Sequence, residues 1–145
     1  MAHTLDAYYR KEHADDVHIL VSPEDVDQLI DDLMSGPADH NLAQLHSLDR
    51  PLLPSGHPDH ELMVGVNRNL RFGLLAFMDG DVGNIFTVGG PGSDMEMNYY
   101  LAGHRMEYPE NIEIPVALVR EAVKEFLRTG GSIPTCVEWK TSDSW

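Results

Sequence analysis

The stretch LMVGVNRNLRFGLLAFMDGDVGNIFTV, residues 62–88, decides the fold. Leu62, Val64 and Val66 alternate, Asn67-Arg68-Asn69 is a polar turn, and Leu70 to Met78 runs on as a second strand, so the first half predicts a hairpin. The second strand is apolar on both sides, with Phe72, Leu74 and Ala76 alternating with Gly73, Leu75 and Phe77. A strand of that kind belongs at the centre of a sheet, with each face covered or one face engaged by a partner. Asp79-Gly80-Asp81-Val82-Gly83 turns the chain into Asn84 to Val88, and Gly89-Gly90-Pro91-Gly92 turns it again into Met95 to Leu101. Successive turns between apolar runs predict an antiparallel meander.

Outward from this centre, Asn41 to Leu48 reads as a strand, and Arg50 to His60, with Pro51, Pro54, Gly56 and Pro58, as an ordered loop. Val17 to Val21 is a short β-branched run. Ser22-Pro23-Glu24-Asp25 then opens a helix, with Ser22 as cap, Pro23 in the first turn and two acids at the positive end of the dipole. Val26, Leu29, Ile30, Leu33 and Met34 form its apolar stripe, and Gly36-Pro37 stops it. A second helix opens at Pro115, buries Val116, Val119, Val123, Phe126 and Leu127, turns Glu121 and Lys124 outward, and ends at Gly130-Gly131. Thr135 to Lys140 closes the sheet. The expected fold is α+β: an antiparallel meander of about six to seven strands with two helices packed on it. At 145 residues, a single domain over 1–145 suffices to bury about two thirds of the unfolded surface.

Charge is distributed unevenly. The chain carries 24 acids against 10 lysines and arginines, a net −14. From Glu12 to Asp49 there are ten carboxylates (Glu12, Asp15, Asp16, Glu24, Asp25, Asp27, Asp31, Asp32, Asp39 and Asp49) and no lysine or arginine. Such a field repels nucleic acid and steers basic partners. On the first helix, Asp27 and Asp31 are like charges one turn apart, and Asp31 and Asp32 lie toward the negative end of the dipole, with no base in the segment to offset them. No apolar run approaches the roughly 20 residues that span a bilayer, and Met1 to Arg10 lacks the pattern of a signal peptide, so the expected location is the cytoplasm and no membrane contact is expected.

Catalytic and metal motifs are absent. His57-Pro58-Asp59-His60-Glu61 has the wrong spacing for a helical zinc site. Asp79 to Asn84 departs from a calcium loop in lacking glycine at the sixth position and glutamate at the twelfth, where Gly90 stands. Gly89-Gly90-Pro91-Gly92 is not followed by Gly-Lys-Ser/Thr, so no phosphate cradle is implied. Cys136, the single cysteine, reads as a small buried side chain in the last strand and offers neither a disulfide nor an activated thiol. A zinc deaminase would need His-x-Glu and Pro-Cys-x-x-Cys, and Pro134-Thr135-Cys136-Val137 supplies one sulfur only. The scattered bases make no stripe for nucleic acid. No metal and no cofactor is implied.

The segments Ser22 to Gly36, Asn41-Leu42-Ala43-Gln44-Leu45, Gly65-Val66, Pro115 to Leu127 in the pattern Pro-x-x-x-Val-Arg-x-Ala-Val-x-Glu-Phe-Leu, Thr129-Gly130, and Val137-Glu138-Trp139 together carry a resemblance. From about Leu5 to Lys140 the chain resembles the first immunity-protein family of bacterial polymorphic toxin systems. The resemblance implies a small, non-catalytic, cytoplasmic antidote encoded beside a secreted toxin. The partner it implies is a cognate toxin domain, often a zinc-dependent nucleic-acid deaminase, including those similar to the actinobacterial cytosine deaminases of double-stranded DNA. The tail Thr141 to Trp145 lies outside the pattern.

Charge and resemblance meet on one physical point. An enzyme that grips nucleic acid needs a basic groove, and concentrated carboxylates complement it. The candidate toxin-binding residues are Glu138 and Trp139 from the family pattern, Asp79 and Asp81 at a hairpin tip, Asp59 and Glu61 beside the proline loop, and Glu96 with Tyr100, which alternate onto one strand face. The rival reading is a small enzyme acting on a cationic ligand, with His60 or His104 as acid–base group beside a carboxylate. A pocket holding a histidine and a convergent carboxylate favours the enzyme; an acidic face exposing apolar residues favours the antidote.

Overall fold

The computed structural model describes residues 3–67, 71–89 and 99–142. In chain order the elements are β1 (Leu5–Tyr8), β2 (His18–Leu20), α1 (Pro23–Ser35), β3 (Leu42–Ser47), β4 (His60–Asn67), β5 (Phe72–Asp79), β6 (Gly83–Thr87), β7 (Tyr99–Leu101), β8 (His104–Met106), β9 (Ile114–Pro115), α2 (Val116–Arg128) and β10 (Trp139–Lys140). A 3-10 turn over Lys11–Ala14 links β1 to β2. The main sheet has the order β10-β6-β5-β4-β3-β1-β2, antiparallel throughout, with β9 beside the start of β5 and β7–β8 as a separate hairpin. This is the α+β fold with two helices and an antiparallel sheet that the periodicities predict. Within it β3 to β6 form the meander; Asn67 ends β4, and Arg68 and Asn69 of the expected turn and the start of the Met95 to Leu101 strand fall outside the described residues.

Register decides which side chains meet the helices. Leu62 opposite Phe77 and Val64 opposite Leu75 point to one face of the sheet. Onto it pack Val26, Leu29, Ile30 and Leu33 of α1 and Val119, Ala122, Val123 and Phe126 of α2, all fully buried or nearly so. Each of these side chains except Ala122 contributes roughly 1.5–3 kcal/mol relative to exposure. The Ser22 hydroxyl accepts the Asp25 amide at 3.2 Å, and the Gly36 N–H closes α1 on the Asp32 carbonyl. Among the described residues, the opposite face is covered over one half only: Tyr99, Met106, Tyr108 and Ile112 lie against Leu42, Met63, Leu74 and Phe86. A Cβ on Gly65 would stand 2.7 Å from the Tyr99 ring, so glycine lets that ring rest on the backbone of β4. The Tyr99 hydroxyl donates to Glu113 at 2.5 Å.

Three expectations are corrected. The acids of α1 are not without bases: Arg120 of α2 reaches Asp27 at 3.1 Å and Asp31 at 2.5 Å, and Lys124 reaches Asp27 at 3.1 Å. The Lys124 hydrogen bond, with Arg120 behind it, holds the Asp27 carboxyl below its ordinary range. Asp32 accepts from the Tyr9 hydroxyl at 3.1 Å, and burial first, then that carboxylate, pushes Tyr9 up to about 12. Second, the last strand covers only Trp139–Lys140. Glu125 of α2 instead takes the amides of Thr135 at 2.7 Å and Cys136 at 3.2 Å, and the Thr135 hydroxyl at 2.8 Å, so those residues wrap a carboxylate and pair with no strand. Third, Cys136 is therefore exposed and not buried. β1 was not foreseen; its Leu5 and Ala7 enter the core while Asp6 and Tyr8 face the other way.

Candidate functional site

The half of the sheet face that β7 and β8 leave uncovered carries the candidate site. The strand registers set Ile19 beside Asp6, Asp6 beside His46, Glu61 beside Met78, and Met78 beside Asn84, and one further step of the β3–β4 register sets His46 beside Glu61. One row thus crosses six strands. Its middle is polar: Asp6 lies 3.0 Å from His46 Nδ1, and Gln44 donates to Glu61. Its flanks are apolar and open, Ile19 at 41% and Met78 at 44% exposure. Beside Glu61 and Met78 the loop of Leu53, His57 and Pro58 raises a wall, leaving a cleft of about 510 Å³.

Arg50 ties together Asp59 and Asp79, two of the acids that line that cleft. Its guanidinium meets Asp59 at 3.0 Å, Asp79 at 3.3 Å and the Gly131 carbonyl at 3.1 Å, and lies 5.8 Å from the centre of the Phe77 ring. Asp79 also accepts the amides of Asp81 and Val82, each at 2.9 Å, which fixes the β5–β6 turn, where Gly83 takes φ +68°. Burial opposes the charge on Asp59 and Asp79. Hydrogen bonds from His60 and Arg50 to Asp59, and from the turn amides and Arg50 to Asp79, outweigh it and hold both below the ordinary carboxylate range. His60 is buried with Nδ1 2.8 Å from Asp59 while Nε2 accepts the Ser47 amide at 2.7 Å. Burial lowers its pKa despite Asp59. With both ring nitrogens held, His60 has no site for a substrate proton, and His104 stands exposed on β8.

The family model of the immunity protein Imm1 matches residues 14–141. The chain belongs to the Imm1 family. Imm1 immunity proteins are non-enzymatic inhibitors that bind and neutralise a cognate toxin, which agrees with the locked histidine and excludes the small-enzyme reading. A crystal structure of a hypothetical protein from Neisseria gonorrhoeae is similar at TM-score 0.43 and 11% identity, over 91% of this chain and 90% of that one. No curated protein matches the chain. Among the described residues, no helix is long and apolar enough to cross a membrane.

In this Imm1 chain Asp59, Glu61 and Asp79 line the cleft at one end of the sheet, and Asp81 lies in the β5–β6 turn beside its lining residue Gly80. Asp59 and Asp79 spend their carboxylates on Arg50, whereas Glu61 is half-buried and Asp81 fully exposed. Glu138 and Trp139 lie apart, at the β10 edge: Glu138 is exposed, and Trp139 packs against the helix-side core and donates its indole N–H to the Pro134 carbonyl at 2.8 Å. Tyr100 is half-buried on β7, its amide bonded to Asn41, and Glu96 lies outside the described residues. Sequence reading missed Asp6, His46 and Met78. The alternation of Leu5-Asp6-Ala7-Tyr8 signals β1, but only the pairing of β1 with β3 sets Asp6 against His46.

Proposed function

We propose that the toxin neutralised by this chain is a zinc-dependent nucleic-acid deaminase, acting on cytosine in DNA, and that the uncovered half of the sheet occludes its basic substrate groove in the cytoplasm. The juxtaposition of Glu61 with exposed Met78 in the cleft, with exposed Asp81 in the adjoining β5–β6 turn, carries this reading: carboxylates for the groove's lysines and arginines, and an apolar anchor for a desolvated centre. Asp59 and Asp79 position the cleft through Arg50, while Tyr100, Glu138, Trp139 and Glu96 are contacts of the rim. The net charge of −14 keeps the chain itself off nucleic acid.

The test is co-expression with the toxin domain encoded by the adjacent gene, capture of the pair, and an assay of cytosine and adenine deamination on double-stranded DNA. A stable complex without deamination, weakened by the double variant Glu61→Lys and Asp81→Lys, supports the reading. A captured toxin with another activity overturns the deaminase assignment; full inhibition by the double variant overturns the surface.

A further inference from the structure

Among the described residues, strand β2 is one of the two edges of the main sheet, opposite β10, and it presents apolar side chains to solvent. Solvent-facing edges are ordinarily blunted by shortness, charges, proline or bulges; β2 is short, three residues, but carries no charge, proline or bulge within it. Here Val17, Ile19 and Val21, on one side of the chain at every second position, are 43%, 41% and 55% exposed. Leu48 donates its amide to the Thr4 carbonyl, which makes Thr4 and Leu48 a hydrogen-bonded pair and, by alternation, turns the backbone groups of Leu5 and Ala7 toward β2. Leu20 and His18 therefore bond to β1, and the N–H and C=O of Ile19 point away from the sheet. The Val21 amide points the same way and is taken by Asp25 at 2.9 Å. The open ladder thus centres on Ile19.

Carboxylates frame both ends of this edge. Asp15 and Asp16 stand exposed just before it and Glu24 just after it. Antiparallel pairing of two copies about Ile19 would bring Asp15 and Asp16 of one copy toward Glu24 of the other at each end, with like charges facing. We propose that β2 accepts a strand of the cognate toxin, apolar at its middle and carrying lysine or arginine at its ends, as an added edge strand of the sheet. This inference rests on the toxin-binding reading above and adds the backbone pairing by which the partner is held.

Proline on an edge strand is tolerated where its missing N–H would face outward, so Ile19→Pro removes the outward donor while leaving the β1 pairing intact. Against the toxin domain of the adjacent gene, Ile19→Pro is expected to dissociate about tenfold faster than the native chain. The double variant Val17→Lys and Val21→Lys, which keeps every backbone donor, tests the apolar contact independently and is also expected to dissociate faster. In the native complex the Ile19 amide should exchange hydrogen more slowly than in the free chain. If the native chain inhibits the toxin, yet both variants bind as it does and the Ile19 amide exchanges unchanged, the edge pairing is overturned and the antidote reading survives. If the Ile19 amide is already protected in a concentration-dependent homodimer, the occupant is a second copy and the proposal is overturned. If the native chain neither binds nor inhibits the toxin, both readings fall.

Discussion

Arg50 and Glu125 each hold together segments that the sequence keeps far apart. Arg50 joins the proline loop, the β5–β6 turn and the loop after α2 through contacts up to 81 residues distant. Arg50→Ala leaves the largely buried Asp79 carboxylate without its cation and should cost about 2–4 kcal/mol in urea unfolding. At Glu125, burial opposes the charge, but hydrogen bonds from Thr135 and Cys136 prevail and bring the carboxyl below its ordinary pKa of 4.5. The unfolded chain then binds this proton more tightly than the folded one. The contribution is complete above pH 4.5 and is lost as the pH falls through the lower folded value. Glu125→Gln should cost about 1–3 kcal/mol at neutral pH and flatten the fall of the urea midpoint below pH 4.5. Neither residue's partners were legible in the sequence. Thr135-Cys136-Val137 carries the composition of a strand, and only the carboxylate arriving from α2 captures its amides.

At the scale of elements, most of the architecture was legible, because helix and strand periods are local properties. Ser22 to Gly36 and Pro115 to Gly130 announce their caps and stripes, and the alternation at Leu62, Val64 and Val66 places β4. The pairing of Asp27 and Asp31 with Arg120 was not legible, since 93 and 89 residues separate the partners. What looked like uncompensated repulsion along α1 is one half of the α1–α2 contact. The covering hairpin depends on a missing side chain. Gly65→Ala sets a methyl 2.7 Å from Tyr99 Cδ1 and 2.9 Å from Leu42 Cδ2, so β7–β8 must lift. The expected loss is about 1–3 kcal/mol, with faster hydrogen exchange at the Tyr99 amide than at the amides of α2.

For the whole molecule, the charge excess acts on encounter more than on the bound state. Association with the toxin domain should slow steeply as salt rises from low to physiological concentration, with dissociation changing little. Neutralising Asp81, exposed in the β5–β6 turn, should lower the association rate by about two- to fivefold and flatten its salt dependence, measured by stopped-flow mixing. The sequence located the acids but not the surface, because the Glu12 to Asp49 carboxylates divide on folding. Asp27, Asp31, Asp32 and Asp49 turn to partners within the chain, while Glu12, Asp15, Asp16 and Glu24 remain exposed near β2.

The strand order also governs time. β4 to β6 pair with their neighbours in sequence across short connections, so those pairings close small loops and form at little entropic cost. β1 must wait for α1 to be passed before it meets β3, and β10 must wait for α2 before it meets β6. Assembly therefore grows from the middle outward, and fraying runs inward from β2 and β10, three and two residues long. Edge strand β2, with one neighbour and three residues, is among the first to loosen. A strand arriving there would give β2 a second neighbour, so that capture of the toxin and completion of the antidote's own sheet become a single cooperative event.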